Sequence, residues 1–340
     1  MSRTKRFLSG FTVVLGLGLA FLAGWARLPY YSIGPGPARE VQPLIRLSGA
    51  QEYPSQGKLI MTTIRFRGLS ALGMLFAWLD PHLAVVSRDT LYPGGETVEQ
   101  ETQRSLSQMD QSKIDAADVV LRRLTSYPKD HGDGALLEFV YPGCPAEGAL
   151  FTGDVVESID GTPVHSADDA SRALDAIPLA EPITFEVRAG GESHQITITR
   201  ERCLPDVPDP RIGINLIDTF PFGVRISSGD VGGPSAGLMW ALGLFDLLTP
   251  GDVTAGNTIA GTGTIDSRGR IGPIAGIADK IVAAERAGAT VFLAPAGNMQ
   301  ELGDADTGDM EVIPVSTFQD ALDALGRLGG EGIEAQTTGP

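Results

Sequence analysis

The sequence predicts an α/β protein in which two compact units follow an N-terminal apolar segment, and three stretches of the chain support this prediction. Residues Phe7–Ala26 form an uncharged run. Residues 128–202 contain short β-like segments separated by glycine turns, with one helical segment among them. Residues 212–328 alternate between β-branched and apolar helical stretches, which is typical of an α/β unit. A chain of 340 residues is long enough for both units.

The N-terminal segment has the length and the flanking charge of a membrane-spanning helix. Arg3, Lys5 and Arg6 precede the run Phe7–Ala26, which has about the 20 residues that a spanning helix needs. Because positive charge marks the cytoplasmic end, we expect a single-pass helix in the cell membrane, with the N-terminus in the cytoplasm and the rest of the chain extracytoplasmic. A cleaved signal peptide is the alternative, with Gly24-Trp25-Ala26 as the candidate cleavage site.

Three segments follow before the first β-rich unit. Lys58–Arg65 is β-branched and apolar, typical of a buried strand. Gly68–Leu79 is a second apolar run, too short to cross a bilayer, so we expect it to be buried. Glu96–Leu124 mixes charged residues with spaced apolar ones, which is typical of an amphipathic helix. Their apolar content is too small for a separate core, so we assign residues 27–127 to a stalk and to the first part of the C-terminal unit.

Composition excludes several classes of function. The net charge of −16 and the absence of a Lys/Arg-dense patch argue against a nucleic-acid partner. The four histidines are scattered and the two cysteines lack metal-ligand spacing, so we expect no metal and no cofactor. Cys144 and Cys203 both lie in the part expected outside the cytoplasm, where a disulfide between them and two buried free thiols are the two alternatives.

Three motifs mark the β-rich segment from Pro128 to Arg202. They are the turn Gly143-Cys-Pro-Ala-Glu147, the strand start Gly153-Asp-Val155 and the hairpin turn Asp160-Gly-Thr-Pro-Val164. Their order resembles that of a bacterial PDZ domain. The resemblance implies that a peptide C-terminus is captured as an added strand, with its carboxylate near Gly132–Leu136. A PDZ-like spacer with a closed groove is the alternative.

In the C-terminal unit a serine lies at a predicted helix start. A strand, Phe222–Ser227, is followed by a loop and by the helix Pro234–Leu248, where the proline suits the first turn because its missing N–H would be unpaired there. Ser235 is therefore expected where backbone N–H groups converge and favour developing negative charge, as an oxyanion hole requires. The alternative is that the small residues around Ser235 only permit tight packing.

Lys280 is the second candidate catalytic residue. It is the only lysine after Lys129, and it lies in the apolar helical stretch Ile277–Ala284. A desolvated lysine loses its charge and can take the proton of a serine hydroxyl. Ser235 and Lys280 together can therefore carry out acyl transfer without a histidine.

Five short motifs in the C-terminal unit resemble, in order and spacing, the proteolytic domain of the Lon family of peptidases. They are Gly233-Pro-Ser-Ala-Gly237, Ala260-Gly-Thr-Gly-Thr264, Gly272-Pro-Ile-Ala-Gly-Ile277, Asp279-Lys280 and the pair Pro295 and Asn298. The resemblance implies a ribosomal-S5-domain-2-like α/β fold with the PDZ domain inserted in it. It also implies Ser235 as the nucleophile, Lys280 as its general base and Thr262 as a supporting hydrogen-bond partner of the lysine. The whole plan resembles the membrane-anchored, PDZ-containing Lon-like serine proteases of bacteria, which implies protein or peptide substrates and a homo-oligomer.

Two departures from the Lon pattern bear on function. ATP-dependent Lon enzymes carry an acidic residue three positions before the serine, where this chain has Gly232, and Asp230 is the nearest acidic residue before the serine. No Walker motif is present, because the only Gly-Lys pair, Gly57-Lys58, is not followed by Ser or Thr. We therefore expect an ATP-independent endopeptidase that cleaves unfolded or flexible extracytoplasmic proteins. The alternatives are a non-catalytic PDZ peptide-binding protein, a Ser-Lys amidase with a non-protein substrate, and an anion-binding loop before Ser235.

The predicted domains divide the chain into six parts. They are a cytoplasmic N-terminus (1–6), a transmembrane helix (7–26), a stalk with the N-terminal part of the protease region (27–127), a PDZ domain (128–202), a Lon-type proteolytic domain (203–328) and a tail expected to be disordered (329–340).

Overall fold

The computed structural model describes residues 21–22, 24–92, 95, 97–204, 207–303 and 307–334. Most of the predicted membrane helix, residues 7–26, lies outside the described residues, as does the end of the predicted tail. Within the described part of the chain, no helix is both long and apolar enough to cross a membrane.

Strands and helices alternate along most of the described chain. The strands are β1 Arg27–Glu40, β2 Ile45–Ser48, β3 Lys58–Ser70, β4 Ala84–Ser87, β5 Ala135–Val140, β6 Val155–Ile159, β7 Thr162–Pro163, β8 Pro182–Ala189, β9 Glu192–Thr199, β10 Ile214–Asp218, β11 Gly223–Ile226, β12 Thr258–Gly261, β13 Thr264–Ile265, β14 Ile271–Gly272, β15 Val291–Pro295 and β16 Glu311–Val315. The α-helices are α1 Ala71–Leu79, α2 Arg88–Leu91, α3 Val98–Leu124, α4 Ala167–Ala176, α5 Gly237–Leu248, α6 Ile277–Arg286, α7 Met299–Leu302 and α8 Phe318–Arg327, with short 3-10 turns at Gln42–Leu44, Pro234–Ala236 and Ala296–Asn298.

The larger unit is built on a six-stranded mixed sheet in the order β16-β15-β12-β3-β1-β4. The first four of these strands run parallel to one another, and β1 is antiparallel to both of its neighbours. Successive side chains of a strand point to opposite faces, so Leu59 and Met61 join the core with α3, α5 and α8, while Ile60 joins a second core with α6. The predicted α/β class is confirmed, with helices on both faces of the sheet.

Segments from before the β-rich unit take part in this fold. The predicted strand at Lys58–Arg65 lies within β3, at the centre of the sheet. The predicted amphipathic helix is α3, which begins at a capping box formed by Thr97 and Gln100. Its apolar side packs against α5, with Met109 beside Trp240 in the main core.

The smaller unit is a second sheet, in the order β10-β5-β6-β8-β9, with α4 packed beside it. Its last strand, β10, lies beyond residue 202, where the sequence placed the end of the PDZ domain. Ile212, Ile214 and Leu216 pack into the core of this sheet, so the described unit extends to Asp218. Cys144 and Cys203 form a disulfide with a Cα–Cα distance of 5.0 Å, which is one of the two states that the sequence left open.

The apolar run Gly68–Leu79 differs from the prediction. Its first residues end β3, where Leu69 is buried as expected. Its remainder is α1, in which Ala77 alone is buried while Phe76 and Trp78 are 63% and 80% exposed. The expectation of a fully buried segment is therefore wrong: the helix packs against β1, β3 and β4, so only one side of it is covered although every side is apolar.

Candidate active site

Ser235 lies in the 3-10 turn that leads directly into α5, and helix α3 holds the loop before it. The Gly233 N–H donates to the Ser105 carbonyl at 2.7 Å, and the Ser112 hydroxyl donates to the Pro234 carbonyl at 3.0 Å. Ser105 and Ser112 lie two helical turns apart, so they face the same side. Sequence reasoning missed both residues; the available signal was a pair of serines at this spacing in a predicted amphipathic helix.

The contact with α3 also explains why no acidic residue stands three positions before Ser235. A Cβ atom at Gly232 would lie 2.4 Å from Ser105 Oγ, which is closer than real contacts allow. Asp230 does not replace such a residue, because its side chain is 94% exposed and lies 3.5 Å from Arg39 in an ion pair. The site therefore contains no carboxylate from this loop.

Lys280 lies on α6, one turn after the left-handed Gly276 that begins the helix. Its Nζ is 2.7 Å from Ser235 Oγ and 2.9 Å from Thr262 Oγ1. Thr262 follows β12 directly, and its backbone N–H donates to the Leu293 carbonyl at 3.1 Å. The structure thus brings together all three side chains that the sequence singled out.

Burial lowers the proton affinity of the Lys280 amine below that of a free lysine. Its side chain is among the largest fully buried ones, and the neighbouring Ile277 and Ile281 are buried with it. Desolvation lowers the pKa of Lys280 from 10.5 to about 8, because the apolar surroundings disfavour the charged form. At neutral pH about a tenth of the molecules then carry a neutral amine, which is the form that accepts a proton.

Thr262 fixes the direction of the lysine's hydrogen bonds. Its hydroxyl donates to the Ser235 carbonyl at 2.9 Å, so toward Lys280 the oxygen acts as an acceptor. A neutral Lys280 amine therefore donates one N–H to Thr262 and has its lone pair available for the Ser235 hydroxyl. This arrangement suits a general base acting on a serine.

Asn298 holds the loop that leads into α6. Its Oδ1 accepts the Ile274 N–H at 2.8 Å, and its Nδ2 donates to the Ile274 carbonyl at 2.7 Å, so the side chain pairs with the backbone as a strand would. The same Nδ2 donates to Glu301 at 2.9 Å. The sequence marked Asn298 only as part of a motif, and the structure gives it a positioning role for the helix of Lys280.

A second candidate site lies in the smaller unit, where an open groove of about 610 Å³ separates α4 from β10. Leu174, Ile177 and Leu179 line it on the helix side, and residues 212–214 line it on the strand side. Among the described strands β10 pairs with β5 alone, so the backbone edge of β10 on the side of α4 is not paired within the sheet.

Part of the region expected to hold the carboxylate, Gly132–Leu136, is not open to an added strand. Ala135 and Leu136 lie in β5, which is paired with β10 on one side and with β6 on the other. No further strand can be added there, because both edges are occupied. Among the described strands, β10 and β9 are the two edges of this sheet, and the edge of β10 is the one that borders the groove.

Two family models match parts of this chain. Residues 220–326 match the family model of the Lon protease (S16) C-terminal proteolytic domain, and residues 139–188 match that of the PDZ domain. Lon protease 2 of Bacillus subtilis is 38% identical over 106 residues, which cover 31% of this chain and 18% of that protein. Lon protease of Xanthomonas oryzae pv. oryzae is 36% identical over 94 residues, covering 27% and 11%. Among solved structures, the PDZ domain of the SdrC-like protein from Listeria innocua is 23% identical, covers 25% of this chain and 93% of its own, and has a TM-score of 0.23.

The chain therefore contains a Lon-type proteolytic domain, which is a serine endopeptidase domain, together with a PDZ domain. The chain spans less than a fifth of the length of the two Lon relatives. Ser235, Thr262, Lys280 and Asn298 all lie within the matched residues 220–326. The groove beside α4 lies partly outside the PDZ match, because β10 follows it in sequence.

Proposed function

We propose that this protein is an ATP-independent serine endopeptidase that uses a dyad of Ser235 and Lys280. The observation that carries the proposal is the distance of 2.7 Å between Lys280 Nζ and Ser235 Oγ, in a setting that buries the amine and lowers its pKa. The Lon-type match over residues 220–326 supports the reaction class.

In the proposed reaction Lys280 Nζ takes the proton of the Ser235 hydroxyl while Oγ attacks the carbonyl carbon of the scissile peptide bond. The resulting oxyanion forms at the N-terminal end of α5, where the helix dipole favours negative charge. Lys280 then gives the proton to the leaving amine, and the first peptide product departs. Water attacks the acyl-enzyme with the same amine as base, which releases the second product and restores both side chains.

The groove between α4 and β10 is proposed to capture the C-terminus of a protein substrate as an added strand. Two observations support this role: the unpaired edge of β10 and the apolar lining by Leu174 and Leu179. Replacing Leu179 by Glu places a charge in the groove, so turnover of protein substrates is expected to fall while hydrolysis of short fluorogenic peptides is retained. Phe151→Glu, at an exposed position outside the groove lining, is the matched control. Equal effects of the two substitutions would remove the capture role.

The anchored, extracytoplasmic location is also a proposal. The uncharged run Phe7–Ala26 behind a basic flank supports it. The disulfide between Cys144 and Cys203 supports it independently, because disulfides persist in oxidising compartments. Treatment of intact cells with a membrane-impermeant protease should degrade the domains after residue 26. Full protection of these domains from the protease would contradict the orientation.

Assembly as a homo-oligomer is proposed from the Lon-like resemblance and from confinement in a plane, which raises the effective concentration. Sedimentation of the purified protein in detergent tests it, and a monomer with full activity would refute it.

Covalent labelling tests the catalytic proposal against the non-catalytic alternative. An activated fluorophosphonate is expected to label the wild-type protein and not Ser235→Ala, and casein should be cleaved by the wild-type protein alone. A folded wild-type protein that resists the probe would favour a PDZ peptide-binding protein. A protein that takes the probe but leaves casein and peptide libraries intact would favour the amidase with a non-protein substrate.

A further inference from the structure

Helix α1 exposes large apolar side chains on several sides at once. Leu75, Phe76, Trp78 and Leu79 are between 52% and 80% exposed, and Leu72 is 39% exposed. The helix contains no charged residue. A helix that is apolar all round is normally covered by protein or by lipid, and exposed patches of this kind mark interaction surfaces. These five side chains are called the α1 face below.

The described part of the chain covers only the inner stripe of this helix. Ala77 is buried and Gly73 and Met74 are half-buried, which is the spacing of one helical side. A Cβ atom at Gly73 would lie 3.5 Å from Leu69, so this stripe rests on the end of β3. The α1 face points away from that contact and is not covered by any of the described residues.

The α1 face lies at the same end of the sheet as the N-terminal apolar run. Arg27, the first residue of β1, pairs with Ser70, the last residue of β3, and the Ser70 hydroxyl caps α1 by accepting the Gly73 N–H at 3.1 Å. Just before Arg27, the helical residues Phe21 and Trp25 are 72% and 73% exposed. The apolar segment before β1 and the helix α1 after β3 therefore both extend from the same end of the β1–β3 strand pair.

The charge at this end differs in sign from that of the chain. Residues 21–34 and 64–92 hold four arginines and two aspartates, whereas the whole chain carries −16. Arg65 and Arg67 alternate with Leu69 on β3, so they lie on the face of the sheet that α1 covers. Both are exposed. Basic residues beside an apolar helix complement an anionic lipid surface.

We propose that α1 is a membrane-surface helix, with the α1 face inserted at the boundary between the headgroups and the acyl chains of an anionic bilayer. The inference rests on the proposed membrane anchor, because an anchor ending at residue 26 brings the lipid surface to the position where α1 begins. Nine residues span only about 14 Å, so the helix lies in the plane of the interface and does not cross it. Trp78, the most exposed side chain of the face, is of the type enriched at that depth.

This contact would orient the catalytic unit as well as hold it. Thr62 donates to the Gly261 carbonyl next to Thr262, so the point where β3 extends beyond β12 lies beside the active site. From Thr62 to Ser70 the strand extends about 26 Å, at about 3.3 Å for each residue. Docking of α1 therefore sets the catalytic serine about one domain radius away from the lipid surface, which favours substrate segments close to the membrane.

Fluorescence quenching tests the inference on the full chain. The protein has three tryptophans, and Trp240 is fully buried, so Trp25→Phe leaves Trp78 as the exposed reporter. The variant is reconstituted in vesicles of phosphatidylcholine and phosphatidylglycerol whose acyl chains carry bromine near the headgroup or near the bilayer centre. Trp78 is expected to be quenched strongly by the shallow bromine and weakly by the deep one. Additional replacement of Trp78 by Phe should remove the quenching.

Matched substitutions test the face itself. Phe76→Asp is expected to abolish quenching of Trp78, whereas Phe151→Asp, which changes a similarly exposed phenylalanine of the smaller unit, should leave it unchanged. Equal quenching in both variants would overturn the inference. Quenching is also expected to fall when phosphatidylcholine replaces phosphatidylglycerol, and an unchanged signal would overturn the role given to Arg65 and Arg67.

The same samples separate this inference from the proposed anchor. Protein that floats with the vesicles but shows no quenching of Trp78 refutes membrane docking of α1 and leaves the anchor intact. Protein that does not float refutes the anchor and, with it, the docking. Blue-shifted Trp78 emission that brominated lipid does not change would assign the α1 face to a second copy of the chain or to residues 7–20, and would also overturn the inference.

Discussion

Replacing Lys280 by Met separates the cost of burying the lysine from its catalytic use. Met has a similar length and no charge. Burial lowers the pKa of Lys280 to about 8 from 10.5, so the charged form costs the folded protein about 3 kcal/mol relative to the unfolded chain. Since the unfolded chain binds more protons between these two pH values, the stability of the wild-type protein rises with pH across that window. Below about pH 8 the cost is present in full.

The size of the expected effect follows from the hydrogen bonds. In a Ser235→Ala background, which prevents self-digestion during unfolding, Lys280 retains its bond to Thr262. Losing that bond costs about 1 kcal/mol. Lys280→Met should therefore stabilise the protein by about 2 kcal/mol at neutral pH and destabilise it by about 1 kcal/mol at the alkaline end of the window.

Chemical denaturation at a series of pH values, read by the free energy of unfolding, measures this difference. The decisive quantity is its change with pH, because packing differences between Met and Lys do not titrate. A difference that stays constant from neutral pH to above pH 8 would refute the lowered pKa and, with it, the basis for Lys280 as a general base. In the background that retains Ser235, Lys280→Met should have no peptidase activity.

Three further outcomes are expected. Thr262→Val should lower kcat/KM about 10- to 100-fold because the lysine loses the acceptor that orients it. Thr262→Ser retains the hydroxyl and should keep most of the activity. Equal losses of activity in the two variants would mean that Thr262 acts only through packing. Wild-type kcat/KM should rise with pH and level off above about pH 8, and a flat pH profile would contradict the role of Lys280 as general base. Lys280→Arg should be as inactive as Ser235→Ala because arginine keeps its charge. Burial and the nearby Glu138 raise the pKa of Asp115 to about 7, so stability from its neutral form is lost as pH rises toward 7. Asp115→Asn should therefore gain thermal stability over the wild-type protein as pH rises from about 4 to 7, and a constant difference in Tm would contradict the raised pKa.

The sequence identified the three central side chains of the candidate site because each carries a local signal. Ser235 follows a proline at a helix start, Lys280 is the lone lysine of an apolar helix, and Thr262 lies between glycines at a strand end. Their order resembles one family, which implied that they meet although 45 residues separate the serine from the lysine. The α/β class was predictable for the same reason, since alternating strands and helices are visible in short windows.

Contacts between distant segments were not predictable in this way. The Ser112 hydroxyl donates to the carbonyl of Pro234, 122 residues later in the chain, and no local sequence pattern around Ser112 indicates that partner. Strand β10 pairs with β5, which lies about 80 positions earlier in the chain, and no short window of sequence shows that pairing. The exposure of α1 escaped prediction because an apolar sequence indicates that a helix needs covering, not whether protein or lipid covers it.

Helix α3 determines which experiments can separate substrate capture from catalysis. Through Ser105 and Ser112 it holds the loop of the candidate nucleophile. Two residues after Ser112, Ile114 packs with Leu136 and Val155 of the smaller unit, and the next residue, Asp115, is buried beside Glu138 of β5. Deleting the PDZ unit would therefore expose Ile114 and alter the ionisation of Asp115 within one turn of the serine that supports the catalytic loop. A loss of activity after such a deletion would not report on peptide capture, whereas Leu179→Glu changes the groove and leaves the contacts of α3 in place.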